Sequence, residues 1–136
     1  MLPGATTFDP AWQLTFSDVA EGREGAGLSY LGDGKGFLTV FHHERVTIDA
    51  ETDLLALAQT PNWRLWSVDL AARTAAPVEG ADWTSGGYSR IKLDGRTFIL
   101  LPSSDYGSTQ SYEVTAAGVT PHLALRGFNY QVVKVR

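Results

Sequence analysis

The sequence predicts an all-β domain made of two four-stranded antiparallel units. Three observations predict it. Fourteen glycines punctuate short runs of strand-forming residues. Two of those breaks are Asp-Gly turns between such runs, a strong short-range signal for a β-hairpin. The two hairpins also align with each other, so the chain repeats. At 136 residues the chain supports one domain.

Composition narrows the function. Fifteen acidic residues against eleven basic ones give a net charge of −4. A protein that binds nucleic acid by neutralising phosphates needs the opposite balance, so no nucleic-acid partner is expected. The chain has no cysteine, which excludes disulfides, thiol nucleophiles and Cys-type zinc sites. No apolar run approaches the ~20 residues of a membrane-spanning helix. The start, Met-Leu-Pro-Gly-Ala-Thr-Thr, has neither the basic nor the apolar segment of a signal peptide.

In chain order, Trp12–Phe16 is predicted as an outer strand, and Glu21, Arg23 and Glu24 as a solvated charged loop. Leu28–Leu31, the turn Gly32-Asp33-Gly34-Lys35-Gly36 and Phe37–Phe41 form the first hairpin. Asp49 to Ala58 is the one helical segment, with Thr47 or Asp49 as cap and Pro61 as stop. Trp63–Leu70 is a strand. Ser89–Leu93, Asp94-Gly95 and Arg96–Leu101 form the second hairpin. Gln110–Val114 is a further strand, and Gln131–Arg136 ends the chain as an innermost strand. The second strand of each hairpin is almost continuously apolar, as expected for strands buried on both faces.

The repeat is the most informative feature. Asp33-Gly34-Lys35 matches Asp94-Gly95-Arg96 at an offset of 61, which brings Phe37 onto Phe98 and Glu44 onto Asp105. Ser67-Val68-Asp69-Leu70 matches Ser111-Tyr112-Glu113-Val114 at an offset of 44, and Pro77 falls on Pro121 at the same offset. The difference is an insertion in the first copy, at about 45–61. One unit spans about 27–79 and the other about 88–126, with the closing strand at 131–136. Two hairpins in roughly 40 residues is the size of a β-propeller blade.

Propellers close with about 4–8 blades. Two blades leave apolar flanking faces and unpaired edges, so a homo-oligomer or a companion chain is expected to complete them. A small closed β-barrel or sandwich is the alternative fold.

Several segments resemble the C-terminal part of bacterial propeller proteins encoded with siderophore genes, the MxcI-like (myxochelin) family. They are Gly34-Lys35-Gly36-Phe37-Leu38-Thr39-Val40-Phe41-His42, Trp66–Leu70, the stretch from Phe98 to Thr109, and the closing Tyr130–Arg136. The resemblance covers most of the chain and implies a cell-envelope or periplasmic setting linked to iron–siderophore handling. The chain lacks the lipoprotein signal and the earlier blades of that family.

In a blade, the loop after the second strand and the loop leading into the next blade share one face. That places His42, His43, Glu44, Trp83, Asp105, Tyr106 and Tyr130 together as a predicted ligand-binding face, where aromatics stack and polar groups orient. His42, Glu44 and Asp105 also form a conceivable divalent-metal set. Ser103, Ser104 and Ser108 lie near His43 in this arrangement, but the sequence has no Gly-x-Ser-x-Gly elbow. No catalytic residue and no cofactor is predicted. The reading is a non-catalytic binding or scaffold module for a small-molecule ligand or protein partner. A calycin-like barrel holding an apolar ligand is second, and a hydrolase third.

Overall fold

The structure, a computed structural model, describes residues 12–103, 105–115 and 118–128. Among the described residues, eight strands form two antiparallel meanders. The first contains β1 (Gly25–Gly32), β2 (Lys35–Phe41), β3 (Trp63–Asp69) and β4 (Thr74–Pro77), hydrogen-bonded in that order. The second repeats the pattern with β5 (Ser89–Leu93), β6 (Arg96–Pro102), β7 (Ser108–Thr115) and β8 (Gly118–Arg126). The strands make two open sheets and not one closed barrel, so the calycin-like barrel is set aside. The predicted closing strand Gln131–Arg136 lies outside the described residues.

The two sheets match residue for residue. Leu38 pairs with Trp66 in the first sheet as Ile99 pairs with Tyr112 in the second. Trp66 then pairs with Pro77 as Tyr112 pairs with Pro121. Trp66 therefore corresponds to Tyr112, 46 residues on, and the 44-residue alignment of the third strands needs correcting by two. The turn between β3 and β4 spans residues 70–73, whereas only 116–117 separate β7 from β8. The shorter turn restores the 44-residue offset at the prolines. Because side chains alternate with period two, the correction leaves every residue on its expected face.

Burial follows from this register. Gly36 to Val40 are all buried, as are Phe98 to Pro102, so β2 and β6 are covered on both faces as predicted. Phe37, Leu65 and Val78 of the first sheet pack with Ile99, Leu101 and Tyr112 of the second. These are not equivalent faces. Ile99, Leu101 and Tyr112 correspond to Leu38, Val40 and Trp66, which lie on the far side of the first sheet. The sheets stack head to tail. Polar contacts fix the stack: Tyr88 donates its hydroxyl to Phe37 O at 2.8 Å, Thr39 donates to Gly86 O at 2.9 Å, and Thr84 donates to Pro102 O at 2.8 Å.

Two local predictions are corrected. Trp12–Phe16 is not an outer strand: residues 12–15 carry no regular structure, and Phe16–Val19 forms a helical turn, α1. Phe16 and Ala20 recur at helical spacing, and with Leu14 they cover Leu38, Val40, Trp66 and Val68. The outer face of the first sheet is thus not left bare. The second helix, α2 (Leu54–Ala58), is shorter than predicted. Asp49 spends its carboxylate on Glu51 N and the Thr52 hydroxyl, closing a separate turn. Asp53 instead caps α2, accepting from Leu55 N and Ala56 N.

Candidate functional site

The ends of β2 and β6 and the starts of β3 and β7 lie at one end of the stack. The β4–β5 connection joins them, because Thr84 pairs with Trp63 and reaches Pro102. His42, His43, Glu44 and Trp83 occupy the part over the first sheet; Asp105 and Tyr106 occupy the equivalent turn over the second. Tyr130 lies outside the described residues.

His42 is the centre of the first group. It follows β2, and its N–H donates to Asn62 O at 2.8 Å. A single 3-10 turn, His43–Arg45, then turns the chain. That turn brings Glu44 Oε1 within 2.7 Å of His42 Nδ1. The Glu44 carboxyl is pulled down to about 2, first by its own backbone N–H, then by His42 and by Arg23. It is therefore a carboxylate, which only accepts, so Nδ1 carries the proton. Nε2 is buried and has no hydrogen-bond partner among the described residues. Arg23 Nη2 donates to the same Glu44 oxygen at 3.2 Å, while Nη1 also pairs with Glu21.

Trp83 closes the group. The His42 ring meets it edge-on at 4.8 Å. The Arg45 guanidinium lies 3.9 Å from the indole centroid and the Arg64 guanidinium 5.9 Å away. Arg64 also reaches Glu79 Oε1 at 3.2 Å. Packed this way, the indole is a support for cations more than an open stacking platform. Arg45 and Arg64 were not singled out from the sequence, and Arg23, read there as part of a solvated charged loop, is instead largely buried against Glu44. The fold brings Arg45 and Arg64 to Trp83 and Arg23 to Glu44, and no spacing signals it.

The second turn is chemically separate. Asp105 Oδ1 lies 2.7 Å from Ser103 Oγ and accepts Gly107 N–H at 2.8 Å. These bonds hold its carboxyl below the ordinary aspartate value. Ser103 Oγ in turn accepts the Ser108 N–H, so this serine is part of the turn's own bonding. Tyr106 adopts φ 55° and meets Phe128 edge-on at 4.6 Å. Asp105 is thus spent on its own loop. Among the described residues no three metal-type side chains cluster, so the His42–Glu44–Asp105 set is not assembled. No family model, curated protein or solved structure matches the chain.

Proposed function

We propose that the two sheets are blades of propeller type and that the chain is a non-catalytic binding or scaffold module. Its loop end serves a small ligand or a protein partner through His42, Trp83 and Arg45. The observation that carries this reading is the buried His42 Nε2, without a hydrogen-bond partner among the described residues, beside an indole that supports an arginine. His42 Nε2 is a buried polar atom with no partner among the described residues, and Arg45 offers donors to an anion. The head-to-tail, in-register stacking of the sheets supports the blade reading. The engagement of Glu44 and Asp105 in separate hydrogen-bond sets supports binding over turnover.

The family resemblance adds a setting, the bacterial envelope, and a probe, an anionic ferric siderophore. Four tryptophans report on binding. Titration with a ferric siderophore should quench their fluorescence saturably. Arg45→Ala and His42→Ala should each raise the half-saturation concentration about tenfold, as expected for losing roughly 1.4 kcal/mol of binding free energy. Quenching that is linear in ligand, or unchanged in both variants, rules out this site for that ligand class.

A further inference from the structure

The two sheets pack closely toward the loop end and part at the hairpin tips. Lys35, Phe37, Leu65, Ser67, Ala76 and Val78 all project from the inner face of the first sheet, because paired residues share a side and alternate residues along a strand do too. Phe37, Leu65 and Val78 are buried there, yet Lys35, Ser67 and Ala76, on the tip side, are exposed. The second sheet repeats the trend. Tyr112 is buried, while Val114 and its partner Val119, two residues nearer the tip, are only half-buried. The space between is a groove of about 800 Å³, within the ~300–1,000 Å³ of small-molecule sites. It runs from Leu31 in β1 across β2 and β3 to Val78 beyond β4, three strand spacings or about 14 Å. His42 and Trp83 lie at the opposite end of the stack.

The polar groups around the groove are largely spent. The Ser67 hydroxyl donates to Ala76 O at 3.3 Å and the Thr115 hydroxyl to Gly118 O at 3.2 Å. Lys35 pairs with Asp69, and Glu79 pairs with Arg64 at 3.2 Å. Asp33 differs: it lines the end of the groove beside Leu31, is exposed, and joins no ion pair among the described residues. The groove therefore has apolar walls and one uncompensated negative charge. We propose that it binds a small, elongated molecule with an apolar body and one cationic head. The body lies against Leu31, Phe37, Val114 and Val119, and the head sits at Asp33. Charge complementarity chooses this class, because an anionic head would be repelled there and no free cation lines the groove to receive it. The inference rests on how the two sheets pack, and not on the blade reading or on the loop-end site.

Thioflavin T, an elongated apolar monocation, is the probe. Its emission should rise saturably on gel-filtered protein, with one site per chain. Asp33→Asn keeps the hairpin tip, because Asn-Gly suits the same turn. It should raise the half-saturation concentration about threefold, the scale of one solvent-exposed ion pair. N-phenyl-1-naphthylamine, which is neutral, should bind the wild type and Asp33→Asn alike. Val119→Arg places a cation in the groove and should raise the thioflavin half-saturation about tenfold. If that variant does not unfold cooperatively, Ser67→Arg, at an exposed position on the opposite wall, takes its place. The absence of saturable emission overturns the proposal, and so does a half-saturation that the arginine leaves unchanged. A thioflavin half-saturation unmoved by Asp33→Asn, or moved equally for both dyes, overturns the cationic head and with it the proposal.

Discussion

Glu44 is held ionised by its own backbone N–H, by His42 and by Arg23, with a folded value of about 2 against an ordinary 4.5. A lowered carboxyl stabilises the fold above its unfolded value and loses that contribution as acid protonates it. The window is therefore about pH 4.5 down to 2. Glu44→Gln should melt below the wild type at pH 7, and the gap should close as the pH falls through that window. A gap independent of pH would show that the Glu44 charge does not act on stability. Tyr112 makes the complementary case. Its hydroxyl donates to Asp82 Oδ2 at 2.8 Å and accepts Asp82 N–H at 3.0 Å. Burial first, then the Asp82 carboxylate, pushes it up to about 12. That contribution is present below pH 10 and lost between about 10 and 12. Tyr112→Phe should cost about 1 kcal/mol in urea unfolding at neutral pH, and it should abolish that alkaline loss. At this scale the two-residue spacing of His42 and Glu44 allowed them to meet, and it is the 3-10 turn that brings them into contact. The sequence was unreadable for Arg45 and Arg64, because a guanidinium over an indole depends on three separate segments meeting.

The elements tell a similar story. The Asp-Gly hairpins were legible because turn chemistry is local: Asp33 and Asp94 both take positive φ ahead of a glycine that does the same. α2 was legible as a helix but not in its limits, since Asp49 and Asp53 are both good caps and only the Thr52 hydroxyl diverts the first. The Trp12–Phe16 segment misled because its alternation suits a strand, while its packing partner is a sheet face and not a sheet edge. The insertion holding α2 has no counterpart at the equivalent turn 103–107. It exposes Leu54 and Leu55 at 71% and 70% and lends little to the core. Replacing residues 46–60 with a short Gly-Ser turn should leave the far-ultraviolet circular dichroism of the sheets intact and shift the melting temperature by only a few degrees. Asp53→Ala should fray α2, at about 1 kcal/mol of local helix stability, with backbone amide exchange in 54–58 accelerating and that of the strands unchanged.

For the whole molecule, the contact between the sheets is the source of cooperativity. Neither four-stranded sheet hides its own apolar face. Leu101 is 3% exposed because the first sheet covers it. Leu101→Ala should cost about 2–5 kcal/mol while both sheets still melt in one transition. Two separate transitions would mean that the sheets are independent. The stack's repeat also has a consequence for how such a chain can change length. The hairpin tip after β3 is two residues longer than the tip after β7, yet Pro77 and Pro121 meet equivalent partners. A hairpin tip thus behaves like a reading frame of two. Residues gained or lost in pairs pass unnoticed by everything downstream, whereas a single one would turn the returning strand inside out, sending its core residues to water. Length variation among chains built on this plan should therefore gather at hairpin tips and come in even steps, with odd steps tolerated where a bulge absorbs the extra residue, as β8 already does between Ser111 and Tyr112 of its partner strand.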